Sequence, residues 1–264
     1  MHTLDDLLAI MRKLRHVESG CPWDREQTYA SLVPYTLEEA YEVAETIEEN
    51  RLHQLPDELG DLLFQIVFYS QIASEEKRFT FNTVIGHICD KLIRRHPHVF
   101  GSDKIETAEE QSIAWEQHKQ KERMQSDSKM DGLLDGVSVA LPALTRAAKI
   151  QRRAAKVGFD WPDYHGVMDK IYEELDEVKA EMPSNDPQRI EDELGDVLFS
   201  CVNLCRHLKV DSERALRQAT RKFEKRFSLV EAALDISNGK FSATADEMEA
   251  AWQQAKDKMT DDSV

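Results

Sequence analysis

Asp192-Glu-Leu-Gly-Asp-Val-Leu-Phe199 decides the fold, because Asp57-Glu-Leu-Gly-Asp-Leu-Leu-Phe64 repeats it with a single change. Ile171-Tyr-Glu-Glu-Leu-Asp-Glu-Val178 matches Thr36-Leu-Glu-Glu-Ala-Tyr-Glu-Val43, and both pairs stand 135 residues apart (174 − 39 and 193 − 58). Two segments held at one spacing mean an internal duplication. Outward from them, Lys91-Leu-Ile-Arg-Arg95 answers Lys222-Phe-Glu-Lys-Arg226, and Ala114-Trp-Glu-Gln-His-Lys119 answers Ala251-Trp-Gln-Gln-Ala-Lys256. Trp23-Asp24 answers Asp160-Trp161 more loosely. The stretch 121–136 is polar, carries Ser, Asp and Gly without apolar periodicity, and reads as a linker. The expected domains are therefore 1–120 and 137–264, joined by 121–136.

Both halves read as helical. Ile171, Leu175, Val178 and Met182 recur at helical spacing, and Leu194, Val197, Leu198, Cys201, Val202 and Cys205 give a wide apolar face. Pro183, Asn185 and Pro187 break the chain between these two helices. The equivalent pair in the first half runs from about Pro34 to Glu49 and from Pro56 to Glu75, and 213–234 reads as a later helix. No run alternates as a strand would. The fold class is all-α, two tandem homologous helical bundles joined by a polar linker.

With 34 Lys and Arg against 50 Asp and Glu, the 264 residues carry a formal charge of −16. Such an acidic chain repels nucleic acid and anionic lipid, so neither is an expected partner, and a phosphorylated ligand must be met through metal ions or a local basic cluster. The start, Met1-His-Thr-Leu-Asp-Asp-Leu-Leu, carries acid where a signal peptide carries base, and no apolar run approaches a membrane span. A cytoplasmic protein is expected. Cys21, Cys89, Cys201 and Cys205 form no CxxC pair and read as buried free thiols.

The chemistry is carried by acids. EExxE, fifteen intervening residues and ExxD occur in both halves: Glu38, Glu39, Glu42, Glu58 and Asp61, then Glu173, Glu174, Glu177, Glu193 and Asp196. Residues three apart share a helix face, so two antiparallel helices aim four carboxylates into one cleft. With Ile171 at zero and about 100° per residue, Glu174 falls near 300°, Glu177 near 240° and Glu173 near 200°, furthest from the core. Crowded carboxylates repel unless a cation neutralises them, and oxygen-only ligands suit Mg²⁺ or Mn²⁺. A solvated acidic face explains one ExxE well. It gives no reason for identity and spacing to survive a duplication that changed most neighbours.

The doubled acid pattern, together with Cys21-Pro-Trp-Asp24, His96-Pro-His-Val-Phe100 and Gly158-Phe-Asp-Trp161, closely resembles the MazG family over nearly the whole chain. The resemblance implies Mg²⁺-dependent cleavage of nucleoside triphosphates to monophosphate and pyrophosphate by a homodimer of helical bundles. It implies metal ligands, and hence the catalytic set, at Glu174, Glu177, Glu193 and Asp196, with first-half counterparts at Glu39, Glu42, Glu58 and Asp61. Substrate contacts are implied at Lys170, Glu173, Arg189, Lys222, Arg226, Trp252 and Lys256.

The halves differ in their cations. Lys170 and Arg189 face Tyr35 and Gln54 at the common offset, whereas Lys222, Arg226, Trp252 and Lys256 answer Lys91, Arg95, Trp115 and Lys119. The second half is therefore expected to carry most of the activity. Trp252 and Trp115 suit either base stacking or core packing. His96-Pro-His98 reads as a structural turn, and Phe64, Phe68 and Tyr69 as core or interface residues. Two rivals stand beside the favoured function: a narrower dUTPase-like pyrophosphatase, and a helical, metal-stabilised interaction module without turnover.

Overall fold

The structure, a computed structural model, describes residues 2–102, 107, 110–111, 132–234 and 243–261. Trp115, Lys119 and most of the expected linker lie outside the described residues. The chain divides into two compact units, Met1–Arg123 and Met124–Val264. Among the described residues every regular element is helical, and no helix is long and apolar enough to cross a membrane.

The first unit contains α1 (Leu4–Leu14), α2 (Pro22–Glu26), α3 (Tyr29–Glu48), α4 (Leu55–Glu75), α5 (Phe81–Arg95) and α6 (Pro97–Phe100). Helix α3 begins five residues before the expected Pro34. Thr28 and Ser31 form a capping box, with Thr28 N donating to Ser31 Oγ at 2.8 Å and Ser31 N to Thr28 Oγ1 at 3.2 Å. That cap starts the helix early enough to place Pro34 inside it, where the ring cannot donate to the carbonyl one turn back. Helices α3 and α4 pack as a hairpin, and α1 lies on α4. Met11, Leu32, Val67, Phe68, Ile72 and Phe81 form the core, with Phe64 and Tyr69 against it. His96 closes α5 and Pro97 opens α6, so the His-Pro-His segment is a turn.

Arg15 ties this unit together. Its guanidinium donates to Glu75 through Nε at 3.0 Å and Nη2 at 2.7 Å, reaches the backbone carbonyls of Asp24 and Gln27, and lies over the Phe68 ring. One side chain thus joins the end of α1, the segment around α2, and α4. Burial pushes the Glu75 carboxyl up, but the bonds from Arg15 and Gln71 outweigh it and hold the group below its usual value.

The second unit contains α7 (Ala143–Ala155), α8 (Tyr164–Glu181), a 3₁₀ turn (Met182–Ser184), α9 (Pro187–His207), α10 (Ser212–Leu234) and α11 (Ala245–Asp261). Helices α8 and α9 pack as a hairpin equivalent to α3 and α4, α7 lies on α9, and α10 packs with α11. Asp160, in the loop before α8, accepts from His207 Nε2 at 3.0 Å and from Arg206, pinning that loop to the end of α9. Gly166 is required beside it: a Cβ there would meet Trp161 Cδ1 at 2.2 Å.

Two expectations need correction. The four thiols are free, but Cys89 and Cys201 are exposed and Cys21 and Cys205 only half-buried. The apolar face of α9 through Leu194, Leu198 and Cys201 is left uncovered within its unit, so the residues on it are not buried. The buried face of α8 runs through Val167, Ile171 and Glu174, while Leu175 and Met182 are exposed. It is turned from the predicted stripe by roughly 30°, toward Glu174.

Candidate active site

The α8–α9 hairpin positions the second acid set. Asn185 turns the chain in the left-handed region at φ 53°, Asp186 caps α9 by accepting from Gln188 N at 3.1 Å, and Pro187 opens the helix. Asn185 and Pro187 of the predicted break thus each have a part in reversing the chain, and Pro183 lies in the 3₁₀ turn before them.

This reversal brings Glu174 and Glu177 of α8 opposite Glu193 of α9. One carboxylate oxygen from each lies within 4.8 Å of the others, the group among the described residues that could hold a metal ion. Glu174 is 5 % exposed, Glu193 half-buried and Glu177 exposed, so the cluster opens outward from a buried floor. A hydrogen bond with Glu174 raises the Glu177 carboxyl, with burial and the charges of Glu174 and Glu193 adding to it. Asp196, one turn beyond Glu193, is exposed and outside this close group. Three converging carboxylates with no soft donor fit a hard divalent cation, because the mutual repulsion that crowds them is what such an ion relieves.

Lys170 meets this cluster directly. Its ammonium donates to Glu173 Oε1 at 2.8 Å and to Glu174 Oε1 at 2.9 Å, and these two bonds raise its pKa above the ordinary lysine value. The double pairing was not foreseen from sequence, although its i,i+3 and i,i+4 spacings are a visible signal for it.

Arg189, one turn before Glu193 on α9, is paired with other acids. It is exposed and pairs with Glu181 at 3.4 Å and Asp186 at 3.9 Å, bracing the hairpin turn. The first-half turn has the same brace from a different position. Arg51, which falls opposite Asp186 at the common offset (186 − 51 = 135), pairs with Glu49 at 2.7 Å and donates to Gln54, the counterpart of Arg189. An arginine steadies each turn, from a different position in each half.

In that first set Glu39 and Glu42 lie on α3, Glu58 and Asp61 on α4. Burial, and then the charges of Asp61 and Glu42, raise the Glu39 carboxyl. Tyr35 takes the place of Lys170 and packs edge-on against Trp23 at 5.6 Å, so the position that carries a cation in the second half is aromatic here. Lys222 and Arg226 lie on α10, Trp252 and Lys256 on α11. Trp252 packs with the Val230, Ala251 and Ala255 cluster, its ring 5.2 Å from Phe223 and under the Arg226 guanidinium at 5.9 Å. The residue is half-buried by these contacts.

Against known proteins, the family model described as the MazG nucleotide pyrophosphohydrolase domain matches residues 27–100 and 163–230. A nucleoside triphosphate pyrophosphohydrolase of Escherichia coli K12 is 49 % identical over 259 residues, covering 97 % of this chain and 98 % of its own. The chain belongs to the MazG nucleotide pyrophosphohydrolase family. The Thermotoga maritima protein named nucleoside triphosphate pyrophosphohydrolase/pyrophosphatase MazG is 44 % identical, over 96 % of this chain and 95 % of its own. A Mycobacterium tuberculosis nucleoside triphosphate pyrophosphohydrolase is 37 % identical over 59 % of this chain and 46 % of its own. Each MazG segment encloses one acid set, and the second also takes in Lys170, Lys222 and Arg226.

Proposed function

We propose that the chain hydrolyses nucleoside triphosphates to nucleoside monophosphate and pyrophosphate at the second half's acid cluster, with Mg²⁺ as cofactor and Mn²⁺ as a substitute. The observation that carries this reading is the convergence of Glu174, Glu177 and Glu193 from two helices in a member of a nucleotide pyrophosphohydrolase family.

Glu174, Glu177 and Glu193 would hold the ion, with Asp196 drawn in from the next turn of α9. Bound there, the cation supplies charge neutralisation on the phosphates and a more acidic water. Glu174, on the buried floor, fixes the position of the cluster. Glu177 and Glu193, the more exposed members, are left to meet the substrate's side of the ion. Lys170, Lys222, Arg226 and Lys256 provide the positive charge that a triphosphate of about four negative charges needs beside so many acids. Trp252 orients Arg226 more than it offers a base platform. Glu173 and Arg189 touch substrate by exchanging the ion pairs they make here. The set Glu39, Glu42, Glu58 and Asp61 binds metal in a subordinate site. The enzyme acts in the cytoplasm.

Incubation of the protein with each common NTP and dNTP, with and without Mg²⁺, should give monophosphate and pyrophosphate by ion-exchange chromatography, and only with metal. Diphosphate and orthophosphate would put the cleaved bond elsewhere. Intact nucleotides together with a metal-raised Tm would favour the interaction module.

The working form is a homodimer. Leu194 and Leu198 of α9 are 47 % and 59 % exposed, and their counterparts Leu59 and Leu63 of α4 stand open in the same way. The same helix face is left apolar and unfilled in both halves, as a bundle completed across a two-fold axis requires. Light scattering at micromolar concentration should give twice the 30.4 kDa chain mass, and Leu194→Glu with Leu198→Glu should lower it. A monomer in the unsubstituted protein would reject the dimer.

A further inference from the structure

The lysine beside the acid cluster sits where an incoming cation must act. Lys170 Nζ is 2.9 Å from Glu174 Oε1, and Glu174 is one of the three residues whose oxygens converge. A Mg²⁺-sized ion binds carboxylate oxygen at about 2.1 Å, so an ion sharing that oxygen would stand within about 5 Å of the ammonium. At that distance two positive charges repel strongly, and a single carboxylate oxygen cannot serve both well. Glu173, 2.8 Å from Nζ and exposed, offers the lysine a second anchor outside the cluster. The long flexible stem of lysine lets its head move while its backbone stays in α8.

We propose that Lys170 is the built-in counter-ion of this site. It neutralises Glu174 while no metal is bound, yields that oxygen when metal arrives, and is re-partnered by the phosphates of the substrate. The inference rests on the metal reading above and adds to it a coupling: free metal binds weakly because it must displace a cation, and triphosphate strengthens metal binding by giving that cation a new partner. By reciprocity, metal strengthens triphosphate binding through the same residue. The first half lacks this device, since Tyr35 carries no charge.

Mn²⁺ titrations of the full chain, followed by the electron paramagnetic resonance signal of the free ion, test the idea. They compare the parent, Lys170→Met and Lys170→Arg, each with and without Glu193→Gln, which identifies the second-half site by its loss. Methionine keeps the length of the stem without its charge; arginine keeps the charge. Lys170→Met should bind Mn²⁺ on the order of tenfold more tightly than the parent, and Lys170→Arg about as weakly as the parent. A triphosphate with a methylene bridge between its α- and β-phosphorus, which cannot be cleaved there, should raise Mn²⁺ affinity more in the parent than in Lys170→Met. Equal or weaker Mn²⁺ binding by Lys170→Met, or equal enhancement by the analogue in both proteins, would overturn the counter-ion role alone. Absence of any Glu193-dependent Mn²⁺ site in the parent would instead remove the metal reading and this inference with it.

Discussion

Glu193→Ala is expected to lower turnover of any accepted triphosphate on the order of a thousandfold, and Glu58→Ala to leave most of it. Glu193 is the one member of the close carboxylate group that comes from α9; Glu174 and Glu177 both come from α8. Its loss therefore removes more than one ligand's charge, because nothing else in that close group reaches across the hairpin. The pair that crosses the turn, Arg189 of α9 with Glu181 of α8, does not involve Glu193, so the hairpin itself should persist. Far-ultraviolet circular dichroism would confirm this before activity is compared. Glu58 stands in a set where no such three-carboxylate convergence occurs among the described residues and where Tyr35 replaces the lysine. Steady-state assays of the two variants under one Mg²⁺ concentration decide the matter. If Glu58→Ala alone abolishes turnover, the assignment of activity to the second half is wrong.

The duplication explains why so much was legible. A spacing of 135 residues kept by two acid motifs located both hairpins and both carboxylate sets, since identity and spacing survive in sequence whatever the packing does. What periodicity could not supply was the exact buried face. An apolar stripe is read from apolar residues alone, and on α8 the seam includes Glu174, so the stripe drawn through Leu175 and Met182 missed it. The partners of Arg189 were hidden for a related reason. Alignment against Gln54 shows a cation one turn before Glu193, but ion pairing depends on which acids the turn brings near, and those are Glu181 and Asp186. The start of α3 was obscured by Pro34, a stronger local signal than the Thr28–Ser31 cap that sets the boundary. Cys201 is exposed because the α9 face it shares with Leu194 and Leu198 is left uncovered within its unit: an apolar face foretells burial, but not what covers it.

Phe68→Ala should be the most damaging core substitution in the first unit, and it should leave chemistry at the second half's acids intact. The Phe68 ring is wholly buried and meets Phe64 edge-on at 5.6 Å and Trp23 at 6.5 Å. Arg15 lies over it at 5.4 Å. Truncating a buried phenylalanine costs about 3–5 kcal/mol through lost transfer and the cavity left behind. The arginine above makes relaxation harder, since it is held by Glu75 and two backbone carbonyls and cannot follow the collapsing side chain. Against a domain stability of about 5–15 kcal/mol, the loss is a large fraction, and the unfolding midpoint of this unit should fall by roughly 10–20 °C. Phe68→Leu, which refills most of the volume, should cost about a third as much. Scanning calorimetry reads both variants, and pyrophosphate release at a temperature well below either midpoint tests the second half separately. A drop of only a few degrees in Phe68→Ala would show that the aromatic cluster and its arginine can close over the cavity. Loss of pyrophosphate release from a still-folded variant would mean that the first unit supports the chemistry directly, which the geometry of Glu174, Glu177 and Glu193 within a single hairpin argues against.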